Sequence, residues 1–263
     1  MEYINTKIPA TPVKAIIFDF DGTLSTLRCG WEKVMGPLFC EVLDDGTMSK
    51  EDLKAKVDKY IDESTGIQTA FQMEWLRNEV LAQGREALDI WAYKDEYNNR
   101  LMLDIKKKLA DIKSGAVPAD DYIMGGSVGF LTELKNKGIK IYVASGTDHP
   151  DVVNEATALG LISYFNSIKG APLREKNCSK EAVIKMLLEE SGYKGDELCV
   201  IGDGKVEIAL GKGAGARTLG LASNERERKG VDQTKRTRLV NAGADVITGD
   251  FLDLDSIMKF LGY

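Results

Sequence analysis

The run Ala15-Ile16-Ile17-Phe18 stops at Asp19-Phe20-Asp21-Gly22-Thr23-Leu24, and this junction constrains the chain more than any other stretch. The apolar residues read as a short buried strand. Carboxylates placed where such a strand ends carry a steep desolvation cost unless a cation or a proton compensates them. Side chains two apart on a strand point to one side, so Asp19 and Asp21 can share one reaction centre. The same letters also serve as a plain strand followed by an Asp-Gly turn, and the rest of the chain has to separate the two readings.

Bulk properties narrow the field. With 263 residues, 43% of them apolar and 29% charged, the chain is long enough to bury a core as one large domain or two unequal ones. A net charge of −6 with both signs interspersed disfavours nucleic-acid binding, which needs concentrated positive charge. The most basic stretch, Arg226 to Arg238, alternates with Glu225, Glu227 and Asp232 and reads as a solvated helix face. No apolar run approaches a membrane span, and Met1 to Pro9 lacks the pattern of a signal peptide. Cys29, Cys40, Cys178 and Cys199 are scattered without a Cys-x-x-Cys pair, as packed thiols of a reducing cytoplasm would be. His149, the single histidine, precedes Pro150 and suits a helix start better than a catalytic base.

Strand-like runs recur at Val13 to Phe18, Ile139 to Ala144, Leu198 to Ile201, Arg217 to Leu221 and Val246 to Thr248. Segments with helical spacing separate the later ones: Val128, Leu131 and Leu134; Val183, Ile184, Leu187 and Leu188; Leu239, Val240 and Ala242. This alternation predicts an α/β fold, a Rossmann-like doubly wound parallel sheet with helices on both faces, whose ligand sits at the carboxyl ends of the strands. More than a hundred residues separate the first of these strands from Ile139, far beyond an ordinary crossover. Leu53, Val57, Tyr60 and Ile61, then Phe71, Trp75 and Leu76, then Leu101, Ile105, Leu109 and Ile112 repeat at helical spacing. The expectation is an α-helical insert over residues 27–118 in a core made of 1–26 and 119–263. Trp31, Trp75 and Trp91 fall in the helical pattern and read as core of the insert.

Three further signals sit at the ends of core elements. Ile141 to Ala144 leads into Ser145-Gly146-Thr147, a hydroxyl and exposed amides suited to a phosphate oxygen. Leu198 to Ile201 leads into Gly202-Asp203-Gly204, with Glu207 four residues after Asp203. A carboxylate there can meet Asp19 across neighbouring strand ends and complete an oxygen-rich magnesium site. Lys180 opens a helical run, where its ammonium can offset negative charge around a phosphoryl group. Each also has a bland reading, as a turn or as a lysine in a helix's first turn.

Taken together, the chain resembles the haloacid dehalogenase superfamily of phosphohydrolases over its whole core. Asp19-Phe20-Asp21-Gly22-Thr23 matches the family's first motif, Ser145 the second, Lys180 the third, and Asp203 with Glu207 the fourth. The resemblance implies that Asp19 is the nucleophile, Asp21 the acid/base, and that Mg2+ is held by Asp19, the main-chain carbonyl of Asp21, and Asp203. It also implies that the insert is a cap of the kind carried by members acting on small molecules. The fourth motif more often ends in a second aspartate, so the longer Glu207 is expected to hold the metal through water or to stand behind the ligands. Lys169 and Lys176 compete with Lys180 for the third motif; Lys180 is preferred because it starts a helix one helix length before Gly192.

The reaction implied is hydrolysis of a small phosphorylated metabolite, sugar phosphates included, through an aspartyl-phosphate on Asp19. Thr23, Gly146, Thr147, Arg28 near the hinge, and Gln68 in the Thr65-to-Thr69 loop are the candidate substrate contacts. A phosphomutase of the same fold uses the same motifs and stays open. A dehalogenase needs neither Asp21 nor Asp203, and a non-catalytic binding protein has no need of a full motif set. Gly211-Lys212-Gly213-Ala214-Gly215-Ala216 formally fits a dinucleotide fingerprint but follows a helical run, so it reads as a helix C-terminus.

Overall fold

The computed structural model describes residues 1–176, 179–190 and 192–263. Its frame is one seven-stranded sheet: β1 (Glu2–Tyr3), β2 (Ala15–Phe18), β3 (Lys140–Asp148), β4 (Ser167–Ala171), β5 (Leu198–Gly202), β6 (Arg217–Leu221) and β7 (Val246–Thr248). The spatial order is β1-β7-β6-β5-β2-β3-β4, all parallel except β1, which pairs antiparallel with β7. The chain leaves β2 toward β3 and β4 and later returns to β5 on its other side, so β2 is the switch point where strand order reverses.

Every residue of β2 is buried, and its two faces are covered separately. Ile16 and Phe18 join one apolar cluster, while Ala15 and Ile17 join another with Val183, Ile184 and Leu187 of α7 (Ser179–Glu190). Phe18 meets Phe130 of α5 (Ser127–Asn136) edge-on at 5.9 Å, and Phe130 stacks on Phe251 at 5.1 Å. Burying an aromatic ring of this size is worth about 1.5–3 kcal/mol. The double covering explains why β2 is continuously apolar rather than alternating.

Four helices lie between β2 and α5: α1 (Glu32–Leu43), α2 (Lys50–Glu63), α3 (Thr69–Ala82) and α4 (Ile90–Ser114). Helix α1 packs on α2 and α3 packs on α4. Leu53, Val57 and Ile61 form the buried stripe of α2, as its spacing predicts, and Tyr60 stacks on Trp75 at 3.8 Å. Trp91 departs from the expectation: it sits on the first turn of α4, with Lys94 at 5.6 Å and Arg174 at 5.9 Å from its ring. Among the crossover helices, Leu131 and Leu134 are buried but Val128 is exposed.

Two strands are absent from the sequence reading. Strand β4 is a half-exposed edge strand whose Ser-Ile-Lys-Gly-Ala carries little apolar signal, and β1 is only two residues long. Strand β3 also runs past Ala144 to Asp148, with a register irregularity against β4 between those residues. The remaining helices are α6 (His149–Ala158), α8 (Lys205–Gly213), α9 (Gln233–Asn241) and α10 (Leu254–Leu261). His149 does begin a helix, and the dinucleotide-like string is the end of α8, closed by Ala214 and the left-handed Gly215. Cys178 lies outside the described residues, Cys199 is buried, and Cys29 and Cys40 are half-buried. Among the described residues, no helix is long and apolar enough to cross a membrane.

Candidate active site

Register brings the motifs together. Phe18 lies opposite Val143 on one side and Ile201 on the other, so Asp19, Ser145 and Asp203 leave the sheet at the same edge. The Asp19 amide donates to the Ile201 carbonyl at 2.9 Å, which holds Asp19 against the end of β5. The strand itself stops at Phe18, so Asp21 reaches the site from a tight loop rather than by strand alternation. In that loop Gly22 N donates to Ser25 O at 2.8 Å and Leu24 N to Phe20 O at 2.9 Å. Gly22 has φ +72°, and a Cβ there would lie 2.3 Å from Asp203 Oδ2. The glycine is needed both for the turn and for the approach of that carboxylate.

Asp19, with 6% of its surface exposed, faces the Lys180 ammonium at 3.3 Å (Oδ2 to Nζ). Lys180 Nζ also donates to Glu207 Oε2 at 2.9 Å and to the Gly66 carbonyl at 3.4 Å. Burial pushes the Asp19 carboxyl well above the usual carboxylate range; Lys180 pulls it back, and the neighbouring Glu207, Asp203 and Asp21 push it further up. Burial works against the Lys180 charge, but Asp19 and Glu207 outweigh it and raise its pKa. Lys169 is exposed on β4, and Lys176 pairs with Glu74 of α3 at 2.5 Å, so of the three lysines only Lys180 reaches Asp19.

Asp21 Oδ2 accepts from Thr147 Oγ1 at 2.8 Å and from Ser145 Oγ at 3.2 Å. These hydroxyls lie two residues apart on the irregular end of β3 and point the same way. Asp21 Oδ1 is buried without a hydrogen-bond partner, which leaves that oxygen open to a proton or a substrate atom. Arg28 Nε stands 3.7 Å from it. The guanidinium is held by Glu155 of α6, with Nη2 to Oε1 at 2.6 Å. Burial pushes the Glu155 carboxyl up to about 7 against the pull of Arg28.

These groups surround a cavity of about 100 Å³, lined by Asp19, Asp21, Arg28, Ser145, Gly146, Thr147, Lys180 and Asp203 of the residues singled out in the sequence. Three others do not line it: Thr23, Gln68 and Glu207, the last standing behind Lys180. Thr23 is buried behind Asp203, its Oγ1 3.5 Å from Oδ1. Gln68 turns away and donates to the Glu175 carbonyl at 2.6 Å, because its loop enters the cavity with Thr65, Gly66, Ile67 and Thr69 instead.

Asp19, Asp203 and Glu207 each present an oxygen within 4.8 Å of the others. This all-oxygen set, whose carboxylates add to burial in raising the Asp19 carboxyl, suits a hard divalent cation. Glu207 is tied down on both oxygens, Oε2 by Lys180 and Oε1 by the Gly204 amide at 2.7 Å, where it caps the start of α8.

Lys235 and Glu225 are site residues that the sequence reading placed on a solvated face. Lys235 Nζ lies 2.7 Å from Asp203 Oδ2, 2.7 Å from Glu225 Oε1 and 3.0 Å from Ser223 Oγ. Asp203 and Glu225 overcome burial and raise the Lys235 pKa. Arg238, on the same helix, pairs with Asp62 of α2 at 3.2 Å. A signal existed: Asp232 caps α9 by accepting from Lys235 N at 2.8 Å, which puts a cation in a helix's first turn, where the dipole disfavours it. A broken local rule of this kind points to a tertiary partner.

Paired carboxylates and a buried lysine at the switch point of a parallel sheet define a hydrolase-type centre on an α/β fold. The haloacid dehalogenase-like hydrolase family model matches residues 13–215, and the chain belongs to that family. A Clostridium perfringens protein named as a pyrophosphatase, PpaX, is 24% identical over 213 residues, covering 80% of this chain and 84% of that one. Two solved structures share the fold. One, from Haemophilus somnus, is named as a phosphoglycolate phosphatase (TM-score 0.62, 18% identity, 94% of this chain and 98% of that one). The other is a β-phosphoglucomutase from Clostridium difficile (TM-score 0.61, 16% identity, 95% and 97%).

Proposed function

We propose that this hydrolase is a magnesium-dependent phosphatase of a small phosphorylated metabolite, acting in the cytoplasm, with residues 27–118 forming a cap over a core of 1–26 and 119–263. The observation that carries the reading is the convergence of Asp19, Asp21, Lys180 and Asp203 on one cavity at the strand ends. Asp19 attacks phosphorus in line and becomes an aspartyl-phosphate while the leaving oxygen departs. Asp21, oriented by Thr147 and Ser145, gives that oxygen a proton and then takes one from the water that releases phosphate. Lys180 and the Gly146–Thr147 backbone receive the phosphoryl oxygens. Asp19, Asp203 and the main-chain carbonyl of Asp21 would hold the magnesium, with Glu207 behind them. When bound, the ion neutralises charge on the phosphoryl group, which is most of what phosphoryl transfer asks of a protein.

The relatives' names span pyrophosphatase, phosphoglycolate phosphatase and phosphomutase, so substrate class and acceptor both need a direct test. A screen of phosphorylated metabolites with magnesium, with Asp19→Asn as the blank, should find turnover that excess EDTA abolishes. Turnover in ¹⁸O-labelled water should put label into released phosphate at the rate of substrate loss. Isomerised sugar phosphate with little free phosphate would make the chain a mutase. Undiminished activity in Asp19→Asn would overturn the covalent route.

A further inference from the structure

Beyond the two aspartate motifs, the cavity has an unusual distribution of charge on the side that must receive the leaving group. Arg28 and Lys180 are the only cations among the described residues that line it. Lys180, held by Asp19 and Glu207, serves the phosphoryl group that is transferred. An anionic group on the substrate, such as a carboxylate or a second phosphate, would therefore have to be met by Arg28, whose forked guanidinium is well suited to either.

Arg28 is already engaged. Its Nε lies 3.1 Å and 3.2 Å from the two Glu155 oxygens, and its Nη2 lies 2.6 Å from Oε1. Asp151, one turn earlier on α6, adds a second carboxylate 3.8 Å from Nη2, and Asp21 stands on the third side. One positive charge thus faces three carboxylates, and Glu155, the nearest of them, is fully buried. The lining also includes Thr65, Thr69, Gln72 and Tyr97, with Trp31 and Leu101 as apolar faces. Hydroxyls and an amide beside an indole suit a neutral, hydroxylated group.

We infer that Glu155 is a specificity-determining residue: by cancelling the charge of Arg28 it makes the cavity select phosphate esters of neutral polyhydroxy alcohols over substrates whose leaving group is itself anionic. The inference rests on the phosphatase reading above. It runs against the phosphorylated and carboxylated leaving groups in two of the relatives' names, pyrophosphatase and phosphoglycolate phosphatase, and it uses repulsion as much as attraction to discriminate.

The test compares kcat/KM at pH 8, above the pKa of about 7 to which burial pushes Glu155, for a neutral-alcohol ester (a hexose 6-phosphate panel), phosphoglycolate and pyrophosphate, in wild type and Glu155→Gln. Wild type should favour the best neutral ester by tenfold or more. Glu155→Gln keeps the shape and removes the nearest of the three carboxylates that face Arg28. It should cut that ratio by about tenfold, chiefly through a lower KM for the anionic substrates. Should Glu155→Gln fail to fold, Asp151→Asn, on a half-exposed position, should move the ratio the same way by a smaller factor. Wild-type preference for phosphoglycolate or pyrophosphate, or a ratio unmoved by either variant, would overturn the inference while leaving the phosphatase intact. Absence of magnesium-dependent turnover on every ester, p-nitrophenyl phosphate included, would overturn the phosphatase reading and this inference together.

Discussion

Replacing Gly22 by alanine separates backbone strain from displacement of a carboxylate of the candidate site. The left-handed φ of +72° costs an L-residue about 1–2 kcal/mol. The new Cβ would also sit 2.3 Å from Asp203 Oδ2 and 2.8 Å from its Cγ, against a practical floor of 3.0 Å. Asp203 therefore has to retreat by at least about 0.7 Å, the difference between the floor and the nearer distance. It cannot do so freely, because Lys235 holds Oδ2 at 2.7 Å. A misplacement near 1 Å in a positioned site costs on the order of 10²-fold in rate. Gly22→Ala should therefore lower kcat/KM by about 30- to 100-fold, raise the magnesium concentration needed for half activity, and lower the melting temperature. Gly115 provides the control: it has φ +75° at the end of α4 and nothing within 4 Å of its Cβ position. Gly115→Ala should show only the strain, a melting temperature lower by about 2–6 °C, with kinetics unchanged. Gly22→Ala kinetics within threefold of wild type, alongside a thermal shift equal to that of Gly115→Ala, would refute the argument that Asp203 is displaced.

Three further outcomes follow from the geometry. Lys180→Met should abolish turnover and destabilise the protein by about 3–5 kcal/mol, since it leaves Asp19 and Glu207 buried without their cation; denaturant unfolding beside Lys176→Met, which loses an exposed pair with Glu74 and a cation–π contact with Phe71, checks the ranking. Asp21→Asn should slow poor leaving groups by about 10² to 10⁴-fold and activated aryl phosphates much less, because only the former need a proton. Asp245→Asn should cost about 1–3 kcal/mol at neutral pH, as its carboxylate accepts from Thr218 N at 2.9 Å, Thr218 Oγ1 at 3.1 Å, Asn5 Nδ2 at 2.9 Å and Lys212 Nζ at 2.7 Å. Burial opposes the Asp245 charge, but those donors hold its pKa below the usual value; the wild-type advantage should be full above the unfolded carboxylate's pKa of about 4 and fade as pH falls through the lower, folded one.

What the sequence determined by itself is what local pattern can carry. The apolar run Ala15 to Phe18, the turn at Asp21-Gly22 and the carboxylate after Ile201 announce themselves because strand period, glycine conformation and burial cost act over a few residues. The order of the motifs and the helical stripe of Leu53, Val57 and Ile61 belong to the same class of information. Edge strand β4 did not, since a half-exposed strand needs no apolar pattern. Only the tertiary structure decided which polar groups meet. Lys235 reaches Asp203 from 32 residues away, and Arg28 reaches Glu155 across 127. Gln68 and Thr23 sit close in sequence to residues that line the cavity, yet they turn to other partners. A long polar side chain reads the same whether it ends in water or on a buried carboxylate. The choice is made by the packing of the elements that carry it, through the requirement that each buried charge find its counterpart.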